Sequence, residues 1–320
     1  MDALELEWEA AGLPAFPLPE ELERLYGGTL GFEEPRVLAN FVQSLDGVTA
    51  IPSVPGSNKL IAAGSAADRV VMGLLRACAD VVVVGSRTLE ASPRGSWTPR
   101  QAYPDAEAAF AELRARIGRS GDPEVVVLTR SGRVDAAHPA FDAGAIVLTT
   151  DAGAARMPLP PGQVVAAAEE LDGAAILAAL RERGHRLILS EGGPTAWGPL
   201  LAERLVDELF LTLSPLLTGR HRSVPRLSLV EETDLLEGGP RAWGTLLSER
   251  LVDELFLTVS PLLTGRIGTD PRLSLVEQTD LLDGGPLEAR LLGVRRGGDH
   301  LFLRYRFDTG RTRPSPRPPD

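Results

Sequence analysis

The sequence predicts an α/β protein built on a mostly parallel sheet with antiparallel strands at its C-terminal edge. Short all-apolar runs such as "VVVV" at 81–84 are typical of parallel strands buried on both faces. These runs alternate with amphipathic helical segments, the pattern of chains that form βαβ units. After residue 200 the segments become typical of antiparallel strands and end in a hairpin that turns at residues 296–299.

Residues 1–35 predict an N-terminal arm with short helical pieces. "RVLANFVQSL" predicts the first strand of the sheet, and "SAADRVVMGLLRACA" predicts a helix with Ser65 as its N-cap. Further strands are predicted at "DVVVVGS", "EVVVLTRSG", "AIVLTT" and "HRLILSEGG", and further helices at "PDAEAAFAELRARIG" and "ELDGAAILAALRERG". We expect one domain over residues 36–310, followed by a Pro/Arg-rich disordered tail at 311–320.

The composition excludes several classes of function. A net charge of -11 argues against nucleic-acid or anionic-membrane binding as the main activity, although a local positive site for a small phosphorylated ligand remains compatible with it. One cysteine, Cys78, excludes a disulfide framework and favours a cytoplasmic setting. No apolar run approaches the roughly 20 residues of a membrane helix. The four histidines are scattered, and we expect no metal site.

A 46-residue unit occurs twice in succession, at 192–237 and 238–283. The two copies align without gaps and differ at ten of 46 positions. Because a solenoid needs at least three repeats, a tandem duplication inside one domain is the simpler interpretation. "HRLILS" leads directly into Glu191, so the first copy is predicted to supply the glycine turn at that strand end. The following strand is predicted from either copy, at 207–215 or 253–261.

Three strand ends carry residues suited to a nucleotide. Glycine lets a phosphate approach the backbone, and free amides with Ser/Thr hydroxyls can surround it. A hydroxyl beside an arginine suits a phosphate monoester such as the 2′-phosphate of NADP. Each motif alone is also an ordinary tight turn, and the G-x-G-x-x-G fingerprint of a Rossmann dehydrogenase is absent. The candidate cofactor residues are Gly85, Ser86, Arg87, Thr88, Thr129, Arg130, Thr149, Gly192 and Gly193.

The motifs "NFVQSLDGVTA", "GSNKLI", "LLRACADVVVVGSRTL" and "LILSEGGPTAWGPLL" occur in this order. In this order and context the chain resembles the riboflavin-biosynthesis pyrimidine reductase family over roughly residues 36–307. The resemblance implies a three-layer fold like that of dihydrofolate reductase. It also implies NADPH as cofactor and a homodimer as the assembly. The implied reaction is hydride transfer to C1′ of a ribosylamino-pyrimidine 5′-phosphate.

The same resemblance implies roles for the remaining site residues. Asn40, Ser44, Ser57, Asn58 and Arg69 are expected on the substrate side, and Asp46, Lys59 and Glu191 are the candidate catalytic residues.

Other interpretations of these residues stay open. Asp46 also suits a turn that bonds its own backbone, Arg69 a surface salt bridge, and Glu191 a helix cap. Lys59 is the one lysine among 33 basic residues, and chance retention at a solvated position is as good an explanation as a role in the site. The family often carries acidic residues shortly after the Val-Gly-x-x-Thr element. Here the segment after Thr88 is "LEASPRGSW", with Glu90 one place earlier and Ser92 and Pro93 following, which leaves the substrate contacts open.

Two other functions remain as alternatives. One is a reductase of the same fold acting on dihydrofolate or another pterin. The other is a non-catalytic NADPH-binding protein whose site the duplication has disturbed.

Overall fold

The computed structural model describes residues 3–45, 47–51, 54, 56–216, 262–263, 265–266, 279–280 and 287–307. Its strands are β1 (Glu5–Glu9), β2 (Arg36–Gln43), β3 (Val81–Gly85), β4 (Glu124–Thr129), β5 (Ile146–Thr150), β6 (Val164–Ala168), β7 (Leu187–Ser190), β8 (Glu208–Leu213), β9 (Leu262–Leu263), β10 (Gly265–Arg266), β11 (Thr279–Asp280), β12 (Leu287–Gly297) and β13 (His300–Phe307).

The helices are α1 (Glu20–Tyr26), α2 (Ser57–Ile61), α3 (Ala66–Cys78), α4 (Ser86–Glu90), α5 (Pro99–Ala102), α6 (Glu107–Arg116), α7 (Pro139–Asp142), α8 (Asp151–Ala154), α9 (Gly173–Glu182) and α10 (Pro194–Ala202). Short 3₁₀ helices cover Pro104–Ala106 and Pro161–Gln163. The predicted strands and helices before residue 200 are all present. Ser65 caps α3 as expected, because its hydroxyl accepts a hydrogen bond from the backbone N–H of Asp68 at 3.2 Å.

One sheet carries the fold, in the order β1-β12-β13-β8-β2-β7-β3-β4-β5-β6, with β9 paired to β12. The strands from β8 to β6 run parallel to their neighbours. β13, β12 and β1 are antiparallel, which confirms the predicted C-terminal edge. The N-terminal arm was expected to be helical, but it also contributes β1, which pairs with β12 at the edge of the sheet.

Strand β8 lies where the parallel and antiparallel parts of the sheet meet. It pairs antiparallel with β13, as expected for the segments after residue 200, and parallel with β2, which was not expected. A strand that pairs parallel on one side and antiparallel on the other has no local sequence pattern that reveals both pairings. The first copy of the repeat supplies this strand; the segment 253–261, the alternative, lies outside the described residues.

Helices cover both faces of the sheet, so the domain has three layers. One apolar cluster joins α1, α3 and α6 to the side chains of Val82 and Val84. The other joins α9 and α10 to Val81 and Val83 on the opposite face. The alternation along β3 explains why its apolar run is continuous, since both faces of the strand are covered. Within the described residues, no helix is long and apolar enough to span a membrane.

Candidate functional site

The predicted cofactor residues lie at neighbouring strand ends. β7, β3, β4 and β5 are adjacent and parallel, so their carboxyl ends meet along one edge of the sheet. Val83 pairs with Ser190, just before Glu191, and Thr129 pairs with Thr149. Ligands of open α/β sheets bind at this edge. The structure therefore brings together residues that are far apart in the sequence.

The two glycine turns are in direct contact. A Cβ atom added to Gly192 would lie 2.8 Å from the Cβ of Ala196 and 3.3 Å from the backbone nitrogen of Gly85. A Cβ added to Gly85 would meet the same Ala196 methyl at 3.0 Å. Contacts under 3.0 Å essentially do not occur, so the approach of α10 to the end of β3 requires Gly192. At this contact Gly85 and Gly192 are themselves buried, while Ser86 and Gly193 beside them are partly exposed. We call this strip of backbone between β3 and the N-terminus of α10 the glycine groove.

Thr88 joins these turns by a hydrogen bond. Its hydroxyl accepts from the backbone N–H of Gly193 at 3.2 Å, which fixes α4 against α10. The amide of Gly193 is thus already used within the protein. Pro194, the first residue of α10, has no N–H, and the N–H of Ala196 donates to the carbonyl of Gly193 at 2.8 Å. Beside them, Ser86 is partly exposed and Arg87 is exposed.

Glu191 forms a buried ion pair with Arg76 of α3. The guanidinium Nε donates to both carboxylate oxygens at 3.0 and 3.1 Å, and Nη2 donates to Oε2 at 2.6 Å. Both side chains are more than nine-tenths buried. The backbone N–H of Glu191 also donates to the carbonyl of Val83 at 2.9 Å. Glu191 was expected either to act in the site or to cap the helix that follows it. In the structure its carboxylate is bound by Arg76 of α3.

Sequence reasoning did not select Arg76, although a signal was present. It is a charged residue inside the apolar segment "LLRACA", and α3 is buried along nearly its whole length. A charged side chain at such a position is rarely fully buried unless it is paired. The partner could not be identified, because Glu191 is 115 residues away in the sequence.

Thr129 is the last residue of β4 and pairs with Thr149 near the end of β5, and Arg130 follows Thr129 directly. Arg130 has an exposed side chain, while both threonines are buried. The hydroxyl of Thr149 has no hydrogen-bond partner within the described part of the chain. A Cβ added to Gly153 would lie 2.1 Å from that hydroxyl oxygen, so Gly153 keeps α8 close to the strand end. The exposed Arg130 thus follows a residue that pairs with Thr149, whose buried hydroxyl is unpaired among the described residues.

The predicted substrate residues are divided between internal bonds and solvent. The Ser44 hydroxyl accepts from the N–H of Val48 at 3.1 Å, and the Ser57 hydroxyl accepts from the N–H of Ile51 at 2.9 Å. Both hydroxyls thus order the chain between β2 and α2. The side chains of Asn58, Lys59 and Arg69 are exposed, and Asn40 on β2 is partly exposed. Asp46 lies outside the described residues.

Burial raises the pKa of the Cys78 thiol to about 12, so this side chain is not a thiolate near neutral pH. Among the described residues, no group of three or more His, Cys, Asp or Glu side chains could hold a metal ion.

Comparisons with known proteins concern the family and the fold. A family model described as "RibD C-terminal domain" matches residues 35–235. No curated protein matches the sequence. A solved structure of a pyrimidine reductase-like protein from Corynebacterium diphtheriae is similar with a TM-score of 0.52 and 18% identity, over 91% of this chain and 96% of the other.

Two longer proteins are similar in fold. Acinetobacter baumannii RibD matches with a TM-score of 0.54 and 18% identity, over 89% of this chain and 60% of its own. A Thermotoga maritima deaminase/reductase matches with a TM-score of 0.50 and 17% identity, over 86% and 57%. The chain thus spans a little over half the length of these two relatives.

Proposed function

The chain belongs to the RibD C-terminal domain family, and from this premise we propose that it is an NADPH-dependent pyrimidine reductase of riboflavin biosynthesis. The proposed substrate is a ribosylamino-pyrimidine 5′-phosphate, reduced at C1′ so that the ribose becomes a ribityl chain. The observation that carries the proposal is the contact between Gly85 and Gly192, which brings two glycine turns together at the strand ends where this family is expected to bind its cofactor.

The residues present fit a dinucleotide phosphate. The pyrophosphate is proposed to lie at the start of α10, next to the partly exposed Gly193 and Ser86 and the exposed Arg87. Arg130 offers an exposed guanidinium to the 2′-phosphate, and Thr149, whose hydroxyl is unpaired among the described residues, pairs with the preceding Thr129. When bound, NADPH would supply the hydride for C1′. The protein's own task is to hold C1′ against the nicotinamide and to deliver one proton to the nitrogen or ring oxygen.

Glu191 contributes to this site mainly by position. Its carboxylate is bound bidentately by Arg76 and connects the turn after β7 to α3. We assign it the role of fixing Gly192 and Gly193 for the cofactor. Lys59 and Arg69 are exposed cations on the substrate side and are proposed to bind the 5′-phosphate. We keep Asp46 as the proposed group for proton transfer or ring recognition.

A turnover assay tests the function. The purified protein is mixed with NADPH and the deaminated ribosylamino-pyrimidine phosphate, and the loss of NADPH absorbance is followed. Oxidation with this substrate but not with dihydrofolate supports the proposal, and the reverse preference indicates a pterin reductase. NADPH binding, measured by fluorescence, without turnover on either substrate would indicate a binding protein and contradict the proposal.

A further inference from the structure

Three polar side chains lie on the α3 side of the sheet next to the proposed substrate site. Phe210 of β8 packs in the same apolar cluster as Val70 and Leu74 of α3. Because side chains alternate along a strand, Thr212 and Ser214 share that face with Phe210. Ser214 still continues the pairing with β2, since its N–H donates to the carbonyl of Gln43 at 2.8 Å. Thr212 and Ser214 therefore both face α3 at the carboxyl end of the sheet.

Asp68 is the third of these side chains and lies in the first turn of α3. It is 6% exposed, and its carboxyl group is hydrogen-bonded to Thr212. Among the described residues it forms no ion pair, and the nearby guanidinium of Arg76 is taken by Glu191. The charged or titratable groups that act on it are His300, Glu191 and Arg76. Burial raises the pKa of Asp68, which favours its neutral, protonated form.

Ser214 is the member of this group whose side chain has no hydrogen-bond partner among the described residues. It is fully buried. A buried hydroxyl left unpaired is unfavourable, and such groups in folded proteins are usually satisfied by protein, water or ligand. A ligand that reaches the side chain would remove this cost.

Asn40 connects these residues to the edge of the site. On β2, Leu38 packs in the α3-side cluster, so Asn40 two residues later faces the same way. Asn40 pairs with Phe210 in the β2–β8 register, one residue pair of the same face before Thr212. Unlike Thr212 and Ser214 it is partly exposed. Thr212 and Ser214 thus lie closer to the carboxyl end of the sheet than Asn40, a residue already expected to contact substrate.

We propose that Asp68, Thr212 and Ser214 form the subsite that recognises the planar ring of the substrate by its amide edge. A neutral carboxyl group presents one donor and one acceptor side by side, which matches the C=O and N–H of a cyclic amide or ureide. Thr212 holds the carboxyl group in place, and Ser214 supplies a further donor or acceptor. The subsite is a specificity determinant of the proposed reductase and rests on that function.

The ring is a better occupant than the phosphate. A phosphate would meet carboxyl and hydroxyl groups here without a free cation among the described side chains, since Arg76 is paired with Glu191. Exposed cations are available instead at Lys59 and Arg69. The ring and the phosphate are therefore assigned to different parts of the site.

Three variants test the subsite: S214A, D68A and D68N. Each is assayed by steady-state NADPH oxidation with the ribosylamino-pyrimidine phosphate. We expect S214A and D68A to raise KM for that substrate about tenfold or more, with KM for NADPH unchanged. D68N retains a donor and an acceptor, so it should recover most of the loss. Because the Ser214 hydroxyl is unpaired in the structure, S214A should unfold at the same or a higher denaturant concentration.

The repeat offers a matched control. Ser260 is the equivalent of Ser214 in the second copy and lies outside the described residues; S260A is expected to leave all kinetic constants unchanged. Unchanged substrate KM in both S214A and D68A would overturn the subsite while the proposed reaction stands.

Binding of two fragments separates the subsite from the reaction. Calorimetry with 5-aminouracil and with ribose 5-phosphate is performed on the wild type and S214A. Weaker binding of the ring alone in S214A supports the subsite even if the wild type shows no turnover. Three results would refute the subsite. S214A weakens the binding of both fragments equally, S214A binds 5-aminouracil as tightly as the wild type does, or the wild type does not bind 5-aminouracil.

Discussion

The guanidinium of Arg76 and the carboxylate of Glu191 connect the middle of the protein to the proposed cofactor groove. Arg76 belongs to α3, and Glu191 immediately precedes the two glycines between β7 and α10. The pair is bidentate and buried. Because Arg76 also donates to the carbonyl of Thr98 at 3.2 Å, one side chain joins three segments of the chain. This ion pair therefore fixes to α3 the glycine turn after β7, which is proposed to bind NADPH.

Replacing Arg76 with alanine should destabilise the protein by about 3–5 kcal/mol, because Glu191 would be left buried without its partner. The free energy of unfolding in urea measures this loss. The double variant R76M/E191M should recover a large part of it, since no charge remains buried. R100A is the control: Arg100 and Glu107 form an exposed pair, and its loss should cost less than about 0.5 kcal/mol. Equal effects of R76A and R100A would contradict the structural role of the buried pair.

Substituting Gly192 by alanine should weaken NADPH binding about tenfold or more. The new methyl would lie 2.8 Å from the Cβ of Ala196, so α10 must move away from Gly85. Such overpacking typically costs 1–3 kcal/mol. G162A is the matched control, because no atom lies within 4 Å of the methyl it adds. NADPH affinity, measured by fluorescence titration, should be unchanged in G162A. An unaffected affinity in G192A would show that the groove is not part of the cofactor site.

The existence of this groove could be predicted from the sequence, but its contacts could not. All-apolar runs bounded by glycine identified β3 and β7 as buried parallel strands, and parallel strands have their carboxyl ends on one edge. Strand order is not local information, so the adjacency of Gly85 and Gly192 emerges only from the fold. The same limit applies to Arg76 and Glu191, whose pairing depends on α3 crossing the sheet next to β7.

Local hydrogen bonds were also hidden from the sequence. Ser44 and Ser57 were expected to face substrate, yet their hydroxyls bond backbone groups four and six residues away. Ser and Thr hydroxyls compete for backbone groups in loops, and a motif gives no indication of which bond is made. Asp68 was treated only as part of a helix. Its burial against Thr212 depends on β8, which lies 140 residues later in the chain.

The stability of the protein should depend on pH through Glu124. Although burial acts in the opposite direction, hydrogen bonds from His185 at 2.7 Å and Arg183 at 3.1 Å lower the pKa of this carboxyl to about 2. A depressed carboxylate pKa stabilises the folded state above the unfolded pKa near 4.5, and this contribution is lost as the pH falls toward 2. The E124Q variant should therefore be about 1 kcal/mol less stable at pH 7 and equal to wild type near pH 2.

Urea unfolding at a series of pH values measures the Glu124 effect. E107Q serves as the control, because Glu107 forms an exposed pair and its replacement should change stability little at any pH. A constant difference between wild type and E124Q across the series would contradict the assignment to ionisation.

The two copies of the repeat should respond differently to the same substitution. Glu208 of β8 is fully buried and pairs with Arg304 at 2.8 Å and Arg306 at 2.9 Å. E208A would leave buried arginine charge unpaired, so we expect a loss of about 3–5 kcal/mol. Glu254 is its equivalent in the second copy and lies outside the described residues. E254A should leave the free energy of unfolding unchanged. A larger loss in E254A than in E208A would mean that the second copy supplies the strand between β2 and β13.

Removing residues 238–283 should leave a folded protein that binds NADPH. The deletion retains β8 and α10 of the first copy, with the pairs of Glu208 to β13 and of Glu191 to α3. It removes Leu262 and Leu263 of β9, which pair with β12, but the first copy repeats the same "SPLLTG" segment at 214–219. The test compares solubility, the unfolding transition and NADPH affinity with those of the full chain. An insoluble product, or one without a cooperative transition, would show that the second copy is required for folding.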